Sequence, residues 1–354
     1  MRKIVAILLV LVMVIGLVAC AADPPPPTPT PAPTPTPEQV TNDVVNGLED
    51  ENGEINLSFV GIIMPDMRHQ FFVDIVAELT EVLEAEGIRV DASSSDGNAA
   101  LQLEFAENYR QMGVDGLIVF PPSGAEGLGE VLQSLRDEGV RVVSFINRLP
   151  AGYDVQVLTD DFEQGLLSAR AAAEWIDATF PDAAPGSIEV GLLTIRVSPE
   201  ANAQSDGLAA ITEYTDKVTI VAEIESTFAD GEAVVMANTE TLLTSHPNIS
   251  VILTYNHGSA VDEVVMRTPG VDLENFAIFA IALDDPISQR VALSRTNESV
   301  VRGVATAGRL GRFYHVAEAM LGRIEADANG IYWNDLIMVD ANNVDQVRRD
   351  AGWD

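Results

Sequence analysis

Strands alternate with helices along almost the whole chain from Ile55 to Asp340, and this alternation restricts the fold more than any other feature of the sequence. Apolar runs such as Val114–Phe120 and Val140–Ile146 are typical of strands that are buried on both faces of a parallel sheet. Between such runs lie stretches with apolar residues at helical spacing, for example Gln70–Glu86 and Ala99–Met112. The pattern therefore predicts β-α-β units with right-handed crossovers.

The second half of the chain repeats this rhythm, so the sequence predicts an α/β protein with two doubly wound parallel-sheet lobes joined by a multi-strand hinge. We expect residues 55–159 plus 307–336 to form the N-terminal lobe and residues 160–306 plus 337–354 to form the C-terminal lobe. Near the end of the chain the pattern predicts one long helix over Arg309–Ile324 and one last strand over Trp333–Asp340.

The stretch Val140–Asp161 marks the passage from one lobe to the other. Its first strand, Val140–Ile146, ends at the polar pair Asn147-Arg148, and a second short strand follows before a new helical pattern begins. Ligands of open α/β sheets bind outside the carboxyl ends of the strands. We therefore expect Asn147 and Arg148 to lie on the wall of a cleft between the lobes.

The N-terminus has the pattern of an export signal. A cationic start precedes the apolar run Ile4–Val18, which is shorter than the roughly 20 residues that a membrane-spanning helix needs. The sequence Leu17–Cys20 resembles the bacterial lipobox, in which the cysteine is diacylated and becomes the mature N-terminus. We expect residues 1–20 to be a lipoprotein signal peptide with Cys20 as the lipidated residue; the alternative is an ordinary signal peptide with a chance cysteine.

Residues 21–54 are predicted to be a linker. Asp23–Pro37 is rich in proline and threonine, and proline lacks the backbone donor that helices and sheets require. Such tracts favour extended polyproline II structure and act as semi-rigid spacers. Glu38–Glu54 is acidic and weakly patterned, so it extends the linker.

Composition excludes several classes of function. With 54 acidic and 20 basic residues the net charge is −34, which argues against nucleic-acid binding because that requires a basic surface. Cys20 is the only cysteine, so the mature domain has no disulfide, thiol nucleophile or thiolate metal site. The four histidines lack metal-site spacing and no GxSxG motif occurs. We expect neither an enzyme nor a bound cofactor or metal.

From Ile55 to the C-terminus the chain resembles the type I periplasmic sugar-binding proteins, the ribose- and galactose-binding group. The order and spacing of several local motifs carry this resemblance. They are the paired Phe71-Phe72 at the start of the first helix, VDGLIVFPPS at Val114–Ser123, Asn147-Arg148, TDDFEQG at Thr159–Gly165, LLTSHPNISVILTYNH at Leu242–His257 and ALDD at Ala282–Asp285.

The resemblance implies a set of ligand-binding residues in the cleft. Arginine, aspartate and asparagine side chains can pair with sugar hydroxyls, and aromatic rings cover the C–H face of the sugar. Some positions match the family pattern and others depart from it, which puts ribose itself in doubt. The matching residues are Phe72, Arg148, Phe228, Asn256 and Asp284, with Phe71 beside them; the departures are His69, Asn147, Asn202 and Thr306.

Several of these residues also have a purely structural interpretation. Phe72 and Phe228 suit core packing, and Arg148 suits a surface ion pair. Asn256 could cap the helix that begins near His257, and Asp284 could cap the helix that begins near Pro286.

The function that the resemblance implies is a lipid-anchored binding protein on the extracytoplasmic face of the cell membrane. It would close about its hinge on a sugar or polyol and deliver that ligand to the permease subunits of an ABC importer, acting as a monomer. One alternative is a ligand sensor for a membrane kinase or chemoreceptor. Another is the same fold binding a nucleoside, a quorum-signal furanose or an amide ligand.

Overall fold

The computed structural model describes residues 55–68, 70–122, 127–307 and 313–353. The predicted signal peptide with Cys20 and the predicted linker therefore lie outside the described residues. Within the described ranges the chain forms two six-stranded sheets with helices packed against them.

Every neighbouring pair of strands in the first sheet is parallel, and the strand order is β11-β5-β4-β3-β1-β2. This order is typical of a doubly wound sheet, because the chain first builds outward from β1 on one side and then on the other. The strands are β1 (Phe59–Met64), β2 (Arg89–Ser94), β3 (Gly116–Val119), β4 (Arg141–Phe145), β5 (Val155–Leu158) and β11 (Ile331–Trp333).

The second sheet has the related order β12-β10-β9-β8-β6-β7, and only its edge strand β12 runs antiparallel to its neighbour β10. Two parallel-sheet halves of one α/β class confirm the fold predicted from the alternation of strands and helices. The strands are β6 (Ile188–Ile195), β7 (Val218–Ser226), β8 (Ile249–Thr254), β9 (Ala277–Ile281), β10 (Val301–Ala307) and β12 (Leu336–Asp340).

The helices cover both faces of the sheets. The side chains of β1 show this directly, since Val60 and Ile62 pack in a cluster with Leu79, whereas Phe59 and Ile63 pack in another cluster with Tyr109. The helices are α1 (Gln70–Ala85), α2 (Ala99–Met112), α3 (Leu128–Asp137), α4 (Asp161–Thr179), α5 (Pro199–Ala209), α6 (Glu232–Ser245), α7 (Gly258–Arg267), α8 (Asp285–Leu293), α9 (Tyr314–Met320) and α10 (Val344–Asp350).

The end of the chain differs from the prediction in two places. The single strand predicted over Trp333–Asp340 is wrong, because β11 belongs to the first sheet and β12 to the second. The long helix predicted to reach Ile324 ends at Met320, and Gly322 follows with φ of 72°, a left-handed conformation in which a helix cannot continue. Helix α10 was not predicted.

Two passages of the chain between the sheets lie side by side. One runs from β5 to α4 and the other from β11 to β12, and the backbone N–H of Asn334 donates to the carbonyl of Leu158 at 2.8 Å. Beside them, His315 Nδ1 lies 3.1 Å from Asn334 Oδ1. The first bond joins the two passages to each other, and the second joins the β11-to-β12 passage to α9.

Candidate functional site

Half of the predicted site residues closely follow the carboxyl ends of strands. Asn147 and Arg148 come shortly after β4, Phe228 after β7, Asn256 after β8 and Asp284 after β9. Because parallel strands end at a common edge of their sheet, the topology gathers Arg148 at the edge of the first sheet and Phe228, Asn256 and Asp284 at the edge of the second.

The backbone is strained at these same edges. Ile146 has a φ angle of 65° and directly precedes Asn147. His257, with φ of 50°, directly follows Asn256, and Ala282, with φ of 86°, lies two residues before Asp284. Such angles are disfavoured for residues with a Cβ, most of all for a β-branched isoleucine. Strain of this kind is retained where the surrounding structure fixes a backbone conformation that function needs.

On the first sheet, Arg148 presents an unpaired guanidinium. The side chain is exposed, and within the described residues it makes no hydrogen bond or ion pair; its guanidinium carbon lies 5.0 Å from the centre of the Trp333 ring. The interpretation of Arg148 as a surface ion pair is therefore wrong for the described part of the chain. Next to it, Asn147 Nδ2 donates to the carbonyl of Pro121 at 2.9 Å, which fixes the loop after β4.

The aromatic residues near the first helix are placed less favourably for a ligand. Phe72 is partly buried and packs edge-on against Phe120, with ring centres 5.5 Å apart. This ring therefore packs against the hydrophobic core. His69 lies outside the described residues, and so does the side chain of Phe71. Their predicted contacts with a ligand stay predictions.

On the second sheet, Phe228 is exposed over 54% of its surface and meets the ring of Tyr255 edge-on at 5.9 Å. A large aromatic ring left this open is not core packing. The Tyr255 hydroxyl donates to Gln204 Oε1, Gln204 Nε2 donates to Gln164 Oε1 at 2.9 Å, and Gln164 Nε2 donates to the carbonyl of Ala305 at 3.3 Å. This chain of bonds fixes Tyr255 at the edge of the sheet.

Helices α4 and α5 bring two acidic side chains to this edge. They cross at Gly165 and Gly207, where a Cβ on Gly165 would lie 2.9 Å from the backbone nitrogen of Leu208 and one on Gly207 would lie 2.7 Å from that of Leu166. The close crossing places Asp161, at the start of α4, near Glu200, at the start of α5.

The environment of these acids is unusual. Burial raises the pKa of Asp161 to about 7, with further upward contributions from the negative charges of Glu200 and Asp160 and a downward one from Arg148. Oε2 of Glu200 is buried and has no hydrogen-bond partner among the residues that the structure describes. Arg148 follows β4 and Asp161 follows β5 and begins a helix that packs on the second sheet, so their interaction brings a basic residue of the first sheet close to the start of that helix.

The sequence missed these residues. Asp161 and Glu200 stand at helix starts, where acidic residues are common for reasons of capping and helix dipole, so nothing in the local pattern separated them from ordinary first-turn acids. Tyr255 lies directly beside the predicted Asn256, and Trp333 was predicted to be the first residue of a strand. The signal that could have found them is their position at or within five residues after a strand end, which includes the first turn of the helix that follows.

The structure also shows the contacts or the exposure of three other predicted site residues, Asn256, Asn202 and Thr306. Asn256 does not cap α7, since His257 occupies the cap position, and the Asn256 carbonyl accepts from Thr254 Oγ1 at 2.8 Å. Asn202 is exposed in the first turns of α5. Thr306 is 4% exposed within β10, directly after the Ala305 carbonyl that holds Gln164.

Asp284 caps a helix, which is the structural role considered for it from the sequence. Its Oδ1 accepts the backbone N–H of Ile287 at 2.8 Å and so caps α8, although the side chain remains exposed. A carboxylate has a second oxygen, and capping by one oxygen leaves the other able to accept from a ligand hydroxyl.

Substitution of Asp284 separates the two roles. We expect Asp284→Ser to keep the cap and the thermal stability, whereas Asp284→Ala loses about 1 kcal/mol of stability. If Asp284 also contacts ligand, both variants lose affinity in calorimetric titrations. Asn98→Ala, which removes the cap of α2, is the control: it lowers the Tm similarly and leaves affinity unchanged. Full affinity in Asp284→Ser would make Asp284 a cap only.

The described residues also form a cavity that lies apart from these edges. A cavity of about 590 Å³ opens at the amino ends of β8 and β9, among Leu243, Pro247, Ile249 and Phe276, at the edge opposite Asn256 and Asp284. No group of three or more potential metal ligands occurs in the described ranges, nor does any helix there have the length and apolar character to cross a membrane.

Comparison with known proteins places the chain among binding proteins. Residues 60–282 match the family model described as a periplasmic binding protein domain. The D-xylose-binding periplasmic protein of Escherichia coli (strain K12) is 26% identical over 116 residues, which cover 32% of this chain and 35% of that protein. The aligned part thus spans little more than a third of that relative.

Solved structures resemble the chain over a much larger part. An ABC transporter periplasmic solute binding protein from Actinobacillus succinogenes 130z, with bound D-allose, has a TM-score of 0.65 at 19% identity, covering 82% of this chain and 99% of that one. The Caulobacter myo-inositol binding protein, bound to myo-inositol, has a TM-score of 0.62 at 19% identity, covering 84% and 97%. At identities this low, the structural similarity establishes a common fold and nothing more specific.

Proposed function

Because the chain belongs to the periplasmic binding protein family, we propose that it captures a sugar or related polyol between its two lobes and delivers it to an ABC importer. Membership confirms the family resemblance seen in the sequence. It also confirms that the chain is not an enzyme, since the family consists of binding proteins. Relatives of this fold have been solved with D-allose and with myo-inositol, which supports a hydroxyl-rich ligand here.

The observation that carries the proposal is the set of unpaired polar groups at the edges of the two sheets. Within the described residues Arg148 has all its donors free, and Glu200 has a buried oxygen without a partner. Unsatisfied buried polar groups are costly, so a protein retains them where a ligand completes their hydrogen bonds. A sugar offers hydroxyls that both donate and accept, and Phe228 offers an exposed ring for its C–H face.

The proposed mechanism is hinge closure. The N-terminal lobe, residues 55–159 plus 307–336, and the C-terminal lobe, residues 160–306 plus 337–354, move about the chain passages between them. A ligand that contacts Arg148 on one lobe and Phe228, Asn256 and Asp284 on the other makes more contacts in the closed state, and its binding energy shifts the population towards that state. The closed form then presents both lobes to the permease.

Calorimetric titration with a panel of sugars and polyols tests this function. The soluble domain from Ile55 onward is titrated with aldoses, ketoses, inositols and linear polyols at equal concentrations. We expect one group of related compounds to bind with micromolar or tighter affinity, since family function requires capture from dilute solution. An absence of binding across the panel would contradict the proposal.

We also propose that the chain is lipid-anchored through Cys20 on the extracytoplasmic face of the membrane, as a monomer. The lipobox-like sequence and the proline-rich linker support this, because a spacer keeps a binding domain clear of the membrane surface.

Replacement of the cysteine tests the anchor. Cys20→Ser is expected to abolish metabolic labelling with a palmitate analogue and to move the protein from the membrane fraction to the soluble fraction. The wild-type chain in the same host is the control. Labelling that persists in Cys20→Ser would contradict lipidation at this residue, which is the only cysteine in the chain.

A further inference from the structure

Among the described residues at the edge of the second sheet, acidic side chains without a basic partner stand together. Asp161 and Glu200 lie together there, and within the described residues neither side chain forms an ion pair or a side-chain hydrogen bond. The arginine nearest to Glu200 along the chain, Arg196, is already held by Asp206 and by Glu223, each at 2.7 Å. It is therefore not free to neutralise the two acids.

Arg148 compensates these acids only in part. Its charge lowers the pKa of Asp161, but burial and the charges of Glu200 and Asp160 outweigh it, and the pKa settles at about 7. Burial of its hydroxyl raises the pKa of Tyr255, and the charges of the same two acids raise it further. The edge of the second sheet thus holds negative charge that the described protein groups do not balance.

We propose that the cleft is selective for a hydroxyl-rich ligand that carries a protonated amine, such as an amino sugar or amino polyol, with the ammonium bound by Asp161 and Glu200. This inference rests on the proposed function and specifies its ligand class. An ammonium supplies three donors, which suits a buried carboxylate oxygen that lacks a partner. The adjacent rings of Tyr255 and Phe228 favour a cation further, because their faces are electron-rich.

The position of the two acids supports their assignment as specificity residues. Both lie in the first turn of a helix, and the two helices meet through glycines, so backbone packing sets how far apart the two residues stand. The bonds from Tyr255 through Gln204 and Gln164 to Ala305 fix the neighbouring polar groups as well. Two acceptors on a fixed backbone need less reordering when they bind a cation than acceptors on mobile loops would.

The dependence of binding on pH has a definite sign. Between pH 6 and 8 the Asp161 carboxyl loses its proton, while Glu200 and Asp160 disfavour that loss and Arg148 favours it. A ligand whose amine stays protonated over this range gains a second negative partner, so its affinity rises with pH. A neutral ligand that accepted a hydrogen bond from protonated Asp161 would instead bind more weakly as the pH rises.

Paired ligands provide the test. We would titrate the domain at pH 6, 7 and 8 with N-methylglucamine and sorbitol, and with glucosamine, N-acetylglucosamine and glucose, together with the matching galacto and manno sets. We expect at least one amino compound to bind about tenfold more tightly than its neutral parent, at pH 8 for the alkylamine N-methylglucamine and at pH 7 for the hexosamines, whose weaker amines lose protons before pH 8. We expect Glu200→Gln and Asp161→Asn each to remove most of this preference.

The outcomes separate this inference from the proposed function. Binding of neutral sugars or N-acetyl derivatives as tightly as the amino compounds would overturn the amine selectivity and leave the sugar-binding function intact. An affinity for neutral sugars that falls with pH would also overturn it, because Asp161 would then act as a donor. No binding of any compound would overturn both. Thermal melts of the two variants check that their folds are retained, and the wild-type preference is a readout that needs no variant.

Discussion

Arg148→Ala is expected to weaken ligand binding by a factor of about 100 or more while leaving the fold intact. The guanidinium donates through a planar fork, and two charge-assisted hydrogen bonds to ligand hydroxyls contribute about 3 kcal/mol together. In the free protein the side chain is exposed, and its one described contact is with the ring of Trp333 at 5.0 Å. Removing it therefore costs little stability. Calorimetry with the tightest ligand of the panel gives the change in Kd.

Arg148→Lys refines this result. Lysine keeps the positive charge but loses the fork, so we expect an intermediate loss of affinity if paired hydrogen bonds matter and almost none if only charge matters. Arg267→Ala is the matched control. Arg267 is half-exposed, forms ion pairs with Glu240 and Glu263 on the surface near α7, and its loss changes stability by less than about 1 kcal/mol and affinity not at all. Wild-type affinity in Arg148→Ala would contradict the placement of the ligand between the two edges.

The sequence predicted the fold well because local signals and topology agree. Helix α2 has the predicted bounds, since Asn98 caps its start and Gly113, with φ of 71°, ends it. The prediction failed where tertiary structure decides. β11 and β12 are separated by only two residues, yet they belong to different sheets, and no local pattern records which sheet an edge strand joins.

The candidate site was predictable only in part, for a similar reason. Parallel strands all end at one edge, so residues just beyond them, such as Arg148 and Asp284, could be named without coordinates. Asp161 and Glu200 could not, because their importance depends on a helix crossing that joins residues distant in the chain. Asp284 shows a second limit: a cap and a ligand contact call for the same residue type at the same position.

The crossing of α4 and α5 gives the largest expected effect on stability. At Gly165 an added Cβ would overlap the carbonyl oxygen of Gln204, and at Gly207 it would overlap that of Phe162. These are backbone atoms, so the overlap can be relieved only by separating the helices. We expect Gly165→Ala or Gly207→Ala to cost about 2–3 kcal/mol after the gain in helix propensity, and to lower the Tm by roughly 5–10 °C.

The same substitutions should also change ligand binding, because the crossing sets the distance between Asp161 and Glu200. Thermal melts and titrations of each variant measure both effects, and the double variant is expected to be less than additive because the two glycines contact each other. Gly231→Ser is the control: its position has open space and precedes α6, where serine is a favourable cap, so Tm and affinity should hold or improve slightly. If the alanine variants melt and bind like the wild type, the helices do not meet through these glycines. The two acids would then lack the rigid spacing on which amine selectivity depends.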